Sequence, residues 1–291
     1  MRLPGPDYPA PAKLNLFLHI TGRLPDNGYH LLQSVFTPID LCDTIRSEST
    51  GDGRIERVND VPGVPAQTDL AVRAAELLQE ATGTTKGARI EVEKRIPMGG
   101  GLGGGSSDAA TVLLVLNRLW SCGFDEEALG EIGLALGADV PFFVRGSPAW
   151  VEGIGDILQP FDLPPAWYAI VAPAASVPTH EIYAARELTR DAEALKMEDF
   201  SAHPQDLFQD PRLRNDLQAV VVARYPEVRE ALQWLAQRAS ARMTGSGGCV
   251  FAAFAGREAA QAALEGLPAS MKGFVARGLE HHPLREVSGS T

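Results

Sequence analysis

Residues 97–108 read PMGGGLGGGSSD, and six of the seven residues from Gly99 to Gly105 are glycine. Each such glycine costs backbone entropy on folding. A chain keeps a run of this kind ordered where backbone must come close to a ligand, with amide N–H groups facing anionic oxygens. Upstream, residues 88–95 alternate as a strand, with Ile90 and Val92 inward. Downstream, an apolar stretch from about Ser106 to Cys122 predicts a helix. A loop that opens a helix offers the helix's unbonded first amides and the positive end of its dipole. Ser106 and Ser107 add hydroxyl groups there. The pattern predicts a phosphate site. No GK[ST] follows, so it is not a Walker-type loop. Gly99, Gly101 and Gly104 satisfy GxGxxG, but a run of glycines fits almost any such pattern. A dinucleotide unit also needs a strand after its helix, whereas a second helix over about 126–136 comes next. A flexible linker does not fit between a strand and an apolar helix.

Working outward, residues 13–20 read as a strand. Leu14, Leu16, Leu18 and Ile20 alternate onto one face, and Lys13, Asn15, Phe17 and His19 share the other. TGRLPDNGYH at 21–30 is a turn-rich loop, with strands expected at 33–46 and 53–58. Thr68 or Asp69 would cap a helix to about Thr82, stopped by Gly83. GADVPFF at 137–143 reads as a short connection into a strand at 149–152. Gly155, Pro160, Pro164 and Pro165 change the texture over 155–166 and mark a boundary. Beyond it a strand is expected at 167–172, with helices at 179–188, 214–223 and 226–239. A strand–turn–strand follows over 241–254, then a helix near 257–265 and a strand near 272–276. Strands and helices mix in both halves with antiparallel neighbours. The expected fold class is α+β with two domains, 1–160 and 161–291.

Composition excludes several function classes. In 291 residues, 26 Lys and Arg stand against 37 Asp and Glu, a net charge of −11. Nucleic-acid binders carry the opposite balance. The three cysteines, Cys42, Cys122 and Cys249, are far apart and form no CxxC pair. They predict neither a disulfide framework nor a cysteine zinc site. The six histidines show no HExxH spacing. No apolar run has the length of a membrane span, and a cytoplasmic protein with reduced thiols is expected. An acidic chain must attract an anionic substrate locally, through amides, helix ends and a few placed cations.

Phosphoryl transfer asks a protein for positioning, charge neutralisation and a group that accepts the nucleophile's proton. Lys13 and Asp139 are the candidates. Asp139 is flanked by small and apolar residues, where a carboxylate wants a cation or hydroxyl partner. Local sequence alone leaves Asp139 equally readable as a cap before Pro141, and Lys13 as an edge-strand lysine. Tyr29 and His30 close the loop after the first strand, where an aromatic beside an imidazole can stack on a base and read its edge; ordinary loop packing is the alternative. Thr244-Gly245-Ser246-Gly247-Gly248 has more glycine than a hairpin turn needs. Close approach to a ligand or to the first glycine loop would explain it.

Together these elements resemble the GHMP kinase superfamily, named for galactokinase, homoserine kinase, mevalonate kinase and phosphomevalonate kinase. The resemblance rests on PAKLNLFLHITG at 11–22, GYHLLQSVF at 28–36 and PMGGGLGGGSSDAA at 97–110. It continues through GADVPFFVRGSPAWVEGIGD at 137–156, RND at 214–216 and RMTGSGGCVF at 242–251. It is strongest with members that phosphorylate 4-diphosphocytidyl-2-C-methyl-D-erythritol in non-mevalonate isoprenoid biosynthesis. It implies an N-terminal domain like ribosomal protein S5 domain 2, a ferredoxin-like C-terminal domain and an active site between them. Small-molecule partners are implied, ATP with Mg²⁺ and the cytidyl alcohol, on a monomer or homodimer, with no nucleic acid and no membrane.

Residue by residue, Lys13 and Asp139 match the family's catalytic pair. Pro97, Met98, Gly99, Gly100, Gly101, Leu102, Gly103, Gly104, Gly105, Ser106 and Ser107 match its ATP phosphate loop. Asn15, Tyr29, His30, Tyr183, Thr244, Gly245, Ser246 and Gly247 match acceptor-binding positions, with Tyr29 stacking on the base and His30 bonding its edge. The metal ligands are not implied. Three departures stand out: Asn27 as an insertion in a loop more often read PDGYH, Gly248 in place of a small side chain, and Asp108 in place of Asn. Sister kinases are the nearest rivals, and GYH and GADVPFFVRG speak against them. A non-catalytic nucleotide-binding regulator would have lost Lys13 or Asp139.

Overall fold

A computed structural model describes residues 2–26, 28–201, 207–208 and 210–286. Asn27, one of the three departures, lies outside the described residues. The chain opens with two long strands, β1 (Tyr8–Arg23) and β2 (His30–Thr50), paired antiparallel. Then come β3 (Ile55–Arg57), α1 (Leu70–Thr82), β4 (Gly87–Glu93), α2 (Gly104–Trp120), α3 (Glu126–Leu134) and α4 (Val140–Arg145). β5 (Ala149–Glu152) and β6 (Ile157–Pro160) complete a first sheet of order β3-β4-β2-β5-β6, with β1 on β2. Asp69 caps α1, its side chain accepting from Ala71 N–H, and Gly83 stops it in the left-handed region, as expected.

The second half contains β7 (Trp167–Pro173), α5 (Thr179–Tyr183), α6 (Glu198–Ser201), α7 (Gln218–Arg224) and α8 (Pro226–Ala236). It ends with β8 (Ala241–Met243), β9 (Val250–Phe254), α9 (Arg257–Ala262), β10 (Met271–Arg277) and α10 (Pro283–Glu286). Its sheet is antiparallel with order β10-β7-β9-β8. Counted within that half, the strand order is 4-1-3-2 in a β-α-β-β-α-β chain, the ferredoxin-like arrangement. One buried cluster, with Leu14, Leu16, Phe17, Ile39, Trp150, Tyr168 and Phe251, draws on both sheets. Gly278 bridges to Ile39, and Leu279 N–H donates to Pro38 O at 2.9 Å, so the segment after β10 ties back to β2.

Several sequence expectations change. β1 is buried on both faces, and its alternation breaks at a bulge between Asn15 and Leu18, where three steps on β1 face two on β2. Leu14 and Leu16 therefore share a cluster with Phe17, while Leu18 and Ile20 turn to the other side with Phe36 and α2. GADVPFF is not a plain connection: Val140–Arg145 is helical, with Pro141 in the first turn, where a missing N–H costs nothing. The stretch 155–166 is not all loop, because β6 pairs with β5. α5 stops at Tyr183 rather than 188, since Arg190 takes the Tyr183 and Ala185 carbonyls that a longer helix would use. α7 begins at Gln218, because Arg214, Asn215 and Asp216 run beside β1 instead.

Candidate active site

Lys13 and Asn15 leave β1 just before its bulge, on the face turned to α2. The Lys13 side chain is only 4% exposed, and its Nζ donates to Asn15 Oδ1 at 2.7 Å. Nζ also lies 3.3 Å from Asp139 Oδ2 and 4.1 Å from the centre of the Phe36 ring. Ion pair, hydrogen bond and cation–π contact together fix a buried ammonium. Asp139 occupies the N-cap position of α4, yet its side chain caps nothing. It is 31% exposed and turned to the lysine. The two candidates of the sequence, 126 residues apart in the numbering that separates Lys13 from Asp139, stand together.

Two backbone contacts hold this strand segment. Lys13 N–H donates to Leu102 O at 3.0 Å, and Asn15 N–H donates to Thr244 Oγ1 at 2.9 Å. Asn15 Nδ2 reaches Ser34 Oγ at 3.3 Å, and that hydroxyl bonds Phe17 O within the bulge. Asn215 Nδ2 donates to Met243 O at 3.0 Å and Gly245 O at 2.8 Å, pinning the turn that carries Thr244.

The two glycine loops pack on each other. A Cβ on Gly101 would lie 2.2 Å from Thr244 O, one on Gly245 2.7 Å from Gly101 O, and one on Gly248 2.7 Å from Gly99 O. Cys249 N–H donates to Gly100 O at 3.0 Å, closing the contact. Of the two explanations for the 244–248 glycines, approach to the first loop is thus observed. Gly248, noted as a departure from a family position that commonly holds a small side chain, has φ +95°, and here a Cβ would press on the Gly99 and Gly100 backbone. Gly103 serves another contact: its Cβ would meet the Phe143 ring at 2.9 Å and Lys13 Cγ at 3.2 Å.

The loop runs into α2, whose first bond is Ser107 N–H to Gly103 O at 2.9 Å. The amides of Gly103, Gly104, Gly105 and Ser106 precede that bond, and no side chain caps Gly103. They open on a cavity of about 900 Å³. Lys13, Asn15, Asp139, Tyr29, His30, Tyr183, Gly245, Ser246 and the whole of Pro97–Ser106 line it. Ser107, Thr244 and Gly247 do not. Ser107 is fully buried, its hydroxyl without a partner among the described residues. Thr244 is buried against Asn15, and Gly247 abuts Met243 and Val221. Tyr29 is 58% exposed at the mouth. His30 lies 5.1 Å from the Tyr183 ring and at 47° to it. Burial, with Arg190 and Arg23 nearby, lowers the His30 pKa. Thr179 and Ser246 hydroxyls meet at 2.6 Å, joining α5 to the glycine turn.

The chain matches the family model for the GHMP kinases N terminal domain over residues 69–147 and that for the GHMP kinases C terminal over residues 175–273. It belongs to the GHMP kinases. A 4-diphosphocytidyl-2-C-methyl-D-erythritol kinase of Aromatoleum aromaticum is 57% identical over 279 residues, covering 96% of this chain and 95% of the relative. A crystal structure of 4-(cytidine 5'-diphospho)-2C-methyl-D-erythritol kinase superposes with a TM-score of 0.81 at 35% identity, covering 94% of this chain and 99% of the other. A mevalonate kinase structure shares the fold at a TM-score of 0.68 and 14% identity, covering 95% and 100%.

This GHMP kinase also has site features that sequence reasoning missed. A part of the cavity beside Gly105 is lined by Val61, Val64, Leu70, Val92 and Ile96. At its wall Lys94 Nζ bridges Asp43 Oδ2 at 2.5 Å and Asp108 Oδ2 at 2.6 Å. Asp43 also accepts from the Arg95 and Ile96 amides. Burial raises the Asp108 carboxyl pKa against the pull of the Lys94 ammonium, and at Lys94 burial works downward but is outweighed by the Asp108 and Asp43 carboxyl groups, which raise its pKa. Asp108 in place of Asn is thereby explained as an ion-pair partner. The only sequence signal was a polar residue inside an apolar helix. Arg190 gave none, since its partner His30 lies 160 residues away in the chain; Asn215 stood in the RND stretch, but its contact with Gly245, 30 residues on, was not legible there.

Proposed function

We propose that this cavity transfers the γ-phosphoryl group of ATP to the 2-hydroxyl of 4-diphosphocytidyl-2-C-methyl-D-erythritol. The products are the 2-phosphate and ADP, in non-mevalonate isoprenoid biosynthesis. One observation carries the reading: the amide-rich start of α2, the Lys13–Asp139 pair and the His30–Tyr183 ring pair line one cavity. The first suits phosphate, the second a reacting hydroxyl and the third a flat base.

In this mechanism the amides of Gly103 to Ser106 take phosphate oxygens and the apolar part beside Gly105 takes adenine. Asp139 receives the proton of the acceptor hydroxyl as its oxygen attacks phosphorus in line with the leaving ADP oxygen. Lys13, held by Asn15 and Phe36, keeps the carboxylate in place and balances charge on the transferring group. Tyr29 stacks on cytosine at the mouth, with His30 and Tyr183 deeper. Gly245 and Ser246 face the acceptor's diphosphate. Lys13 and Arg23 on the cavity wall, with the unbonded amides at the start of α2, give an acidic chain its local attraction for anions.

ATP would enter with Mg²⁺. Asp139 and the Ser106 hydroxyl are oxygen donors on the wall, which fits an ion that keeps most of its ligands as phosphates and water. Bound there, it would neutralise charge on the β- and γ-phosphates. The cavity is built from one chain, so a monomer or a homodimer would serve. No helix among the described residues is long and apolar enough to cross a membrane, and the cysteines are free. We place the enzyme in the cytoplasm. We also place the domain boundary at 160/161, where β6 ends the first sheet before β7 begins the second.

Product identity tests the reading. The 2-hydroxyl sits on a carbon with no hydrogen, so the new phosphomonoester should show a phosphorus signal without vicinal proton coupling. A proton-coupled signal would place phosphate on a different hydroxyl and overturn the regiochemistry.

A further inference from the structure

Arg190 follows α5 in a loop and is held on every side. Its Nη1 donates to Leu188 O at 2.8 Å, and its Nη2 donates to Tyr183 O at 3.0 Å and Ala185 O at 2.7 Å. Three carbonyls therefore fix the guanidinium. Of the two donors left, Nε–H points at His30 Nε2 at 2.9 Å. A guanidinium is always charged and only donates. His30 Nε2 must then carry the lone pair, and the one proton of the neutral ring must sit on Nδ1. The Tyr183 ring, 5.1 Å away, fixes the tilt of the imidazole. The charges acting on His30 are Arg190 and Arg23, both cationic, and burial works in the same direction. The facing Tyr183 phenol is itself pushed up by burial and by Asp139, so it stays uncharged. Among the described residues, no group acting on the ring favours an imidazolium.

We propose that Arg190 is a specificity-determining positioning residue, which locks His30 as the Nδ1–H tautomer so that the ring offers the base a donor and never an acceptor. The chemistry of pyrimidines gives this a consequence. Cytosine N3 is an unprotonated acceptor, whereas uracil N3 carries a hydrogen. A fixed Nδ1–H complements the first and opposes the second. An imidazole released from Arg190 could switch tautomer and meet either base. Discrimination between cytidyl and uridyl acceptors would then reside in an arginine that does not itself read the base. The inference rests on the acceptor reading above, and its test separates the two.

The direct measurement is the ring-nitrogen tautomer of His30 in ¹⁵N-histidine-labelled enzyme without substrate, assigned by loss of the signal in His30→Gln. The expected result is a protonated Nδ1 and an unprotonated Nε2 from pH 6 to 8. An Nε2–H ring overturns the proposal, and this reading needs no Arg190 variant to fold. In Arg190→Met the nitrogens should average between tautomers. The ratio of kcat/KM for the cytidyl over the uridyl acceptor should fall roughly tenfold or more, the scale of a mispaired buried donor. KM for ATP should not move, a split that general loosening of the fold would not produce. An unchanged base preference with a released tautomer overturns the specificity role. Absence of turnover with the cytidyl acceptor in the unmodified enzyme overturns the acceptor reading, while the nitrogen signals still decide the tautomer.

Discussion

Alanine at Gly101 and at Gly105 should have opposite consequences, although both lie in one glycine run. Gly101 has φ +75°, and its added Cβ would stand 2.2 Å from Thr244 O, 3.1 Å from Thr244 C and 3.2 Å from Gly247 N. The first distance is more than 1 Å inside the roughly 3.5 Å at which non-bonded atoms begin to attract. All three atoms are backbone, so no rotamer relieves the clash and the two loops must separate. The left-handed conformation adds about 1–2 kcal/mol for a side chain. Strain from overpacking adds roughly 1–3 kcal/mol. A loss of about 2–5 kcal/mol in unfolding free energy is expected. Separation also moves Leu102 O and Thr244 Oγ1, the acceptors that fix the Lys13 and Asn15 amides. The kcat should therefore fall along with stability. At Gly105 the added Cβ meets only Leu70 Cδ1, at 3.5 Å, inside the first turn of α2. Alanine there should leave stability unchanged or raise it by up to about 1 kcal/mol, the helix preference over glycine. Any rise in KM for ATP at this position then reports ligand approach alone. Urea unfolding and steady-state kinetics on both variants are the assay. Native stability and kcat in Gly101→Ala would refute the loop-on-loop reasoning.

Tyr29→Ala should raise KM for the cytidyl acceptor about 5- to 150-fold, from the roughly 1–3 kcal/mol of a lost base stack, with KM for ATP nearly unchanged. Equal effects on both substrates, in steady-state kinetics, would move Tyr29 out of the base pocket. His282 is fully buried against Gly146, and burial with Arg285 and Arg118 lowers its pKa from 6.5 to about 4. The unfolded chain then binds the proton more tightly, so this contribution to stability is present above about pH 6.5 and is lost as pH falls. Roughly 2 to 3 kcal/mol should disappear between pH 7 and 4.5. His282→Asn, which keeps an acceptor for Leu284 N–H, should flatten that part of a pH series of denaturation midpoints.

The helix-opening glycine loop, the Asp69 and Gly83 caps of α1 and the individual strands of the second half were legible because each depends on neighbours in sequence, whereas the order of that second sheet followed only from the family resemblance. What escaped depends on distant partners. The strand alternation of 13–20 predicts one continuous face, but the Asn15–Leu18 bulge reverses it, and the groups that stabilise the bulge come from Arg214 to Asp216. Leu18 N–H donates to Arg214 O, and Asp216 N–H donates to Leu18 O, at 3.0 and 2.8 Å. α4 escaped because Pro141 reads as a breaker when only its missing N–H is considered. Its position in the first turn removes that cost. The glycine run predicts close approach, and the structure adds a second object for it besides any ligand. Gly99, Gly100 and Gly101 make room for Ser176 and the 244–249 turn, and Gly103 for Phe143. Lys13 and Asp139 could be paired only through the family resemblance; local sequence left both with ordinary structural explanations.

The most direct test of the account is ADP release from Mg-ATP with purified enzyme and 4-diphosphocytidyl-2-C-methyl-D-erythritol, beside mevalonate and homoserine, in the unmodified protein and in Asp139→Ala. Turnover is expected with the cytidyl alcohol alone. In the variant kcat should be reduced by about 10²–10⁴-fold, the scale of a positioned proton acceptor, with ATP affinity nearly unchanged. Turnover in Asp139→Ala close to that of the unmodified enzyme, or preference for another acceptor, would contradict the assignment of this cavity.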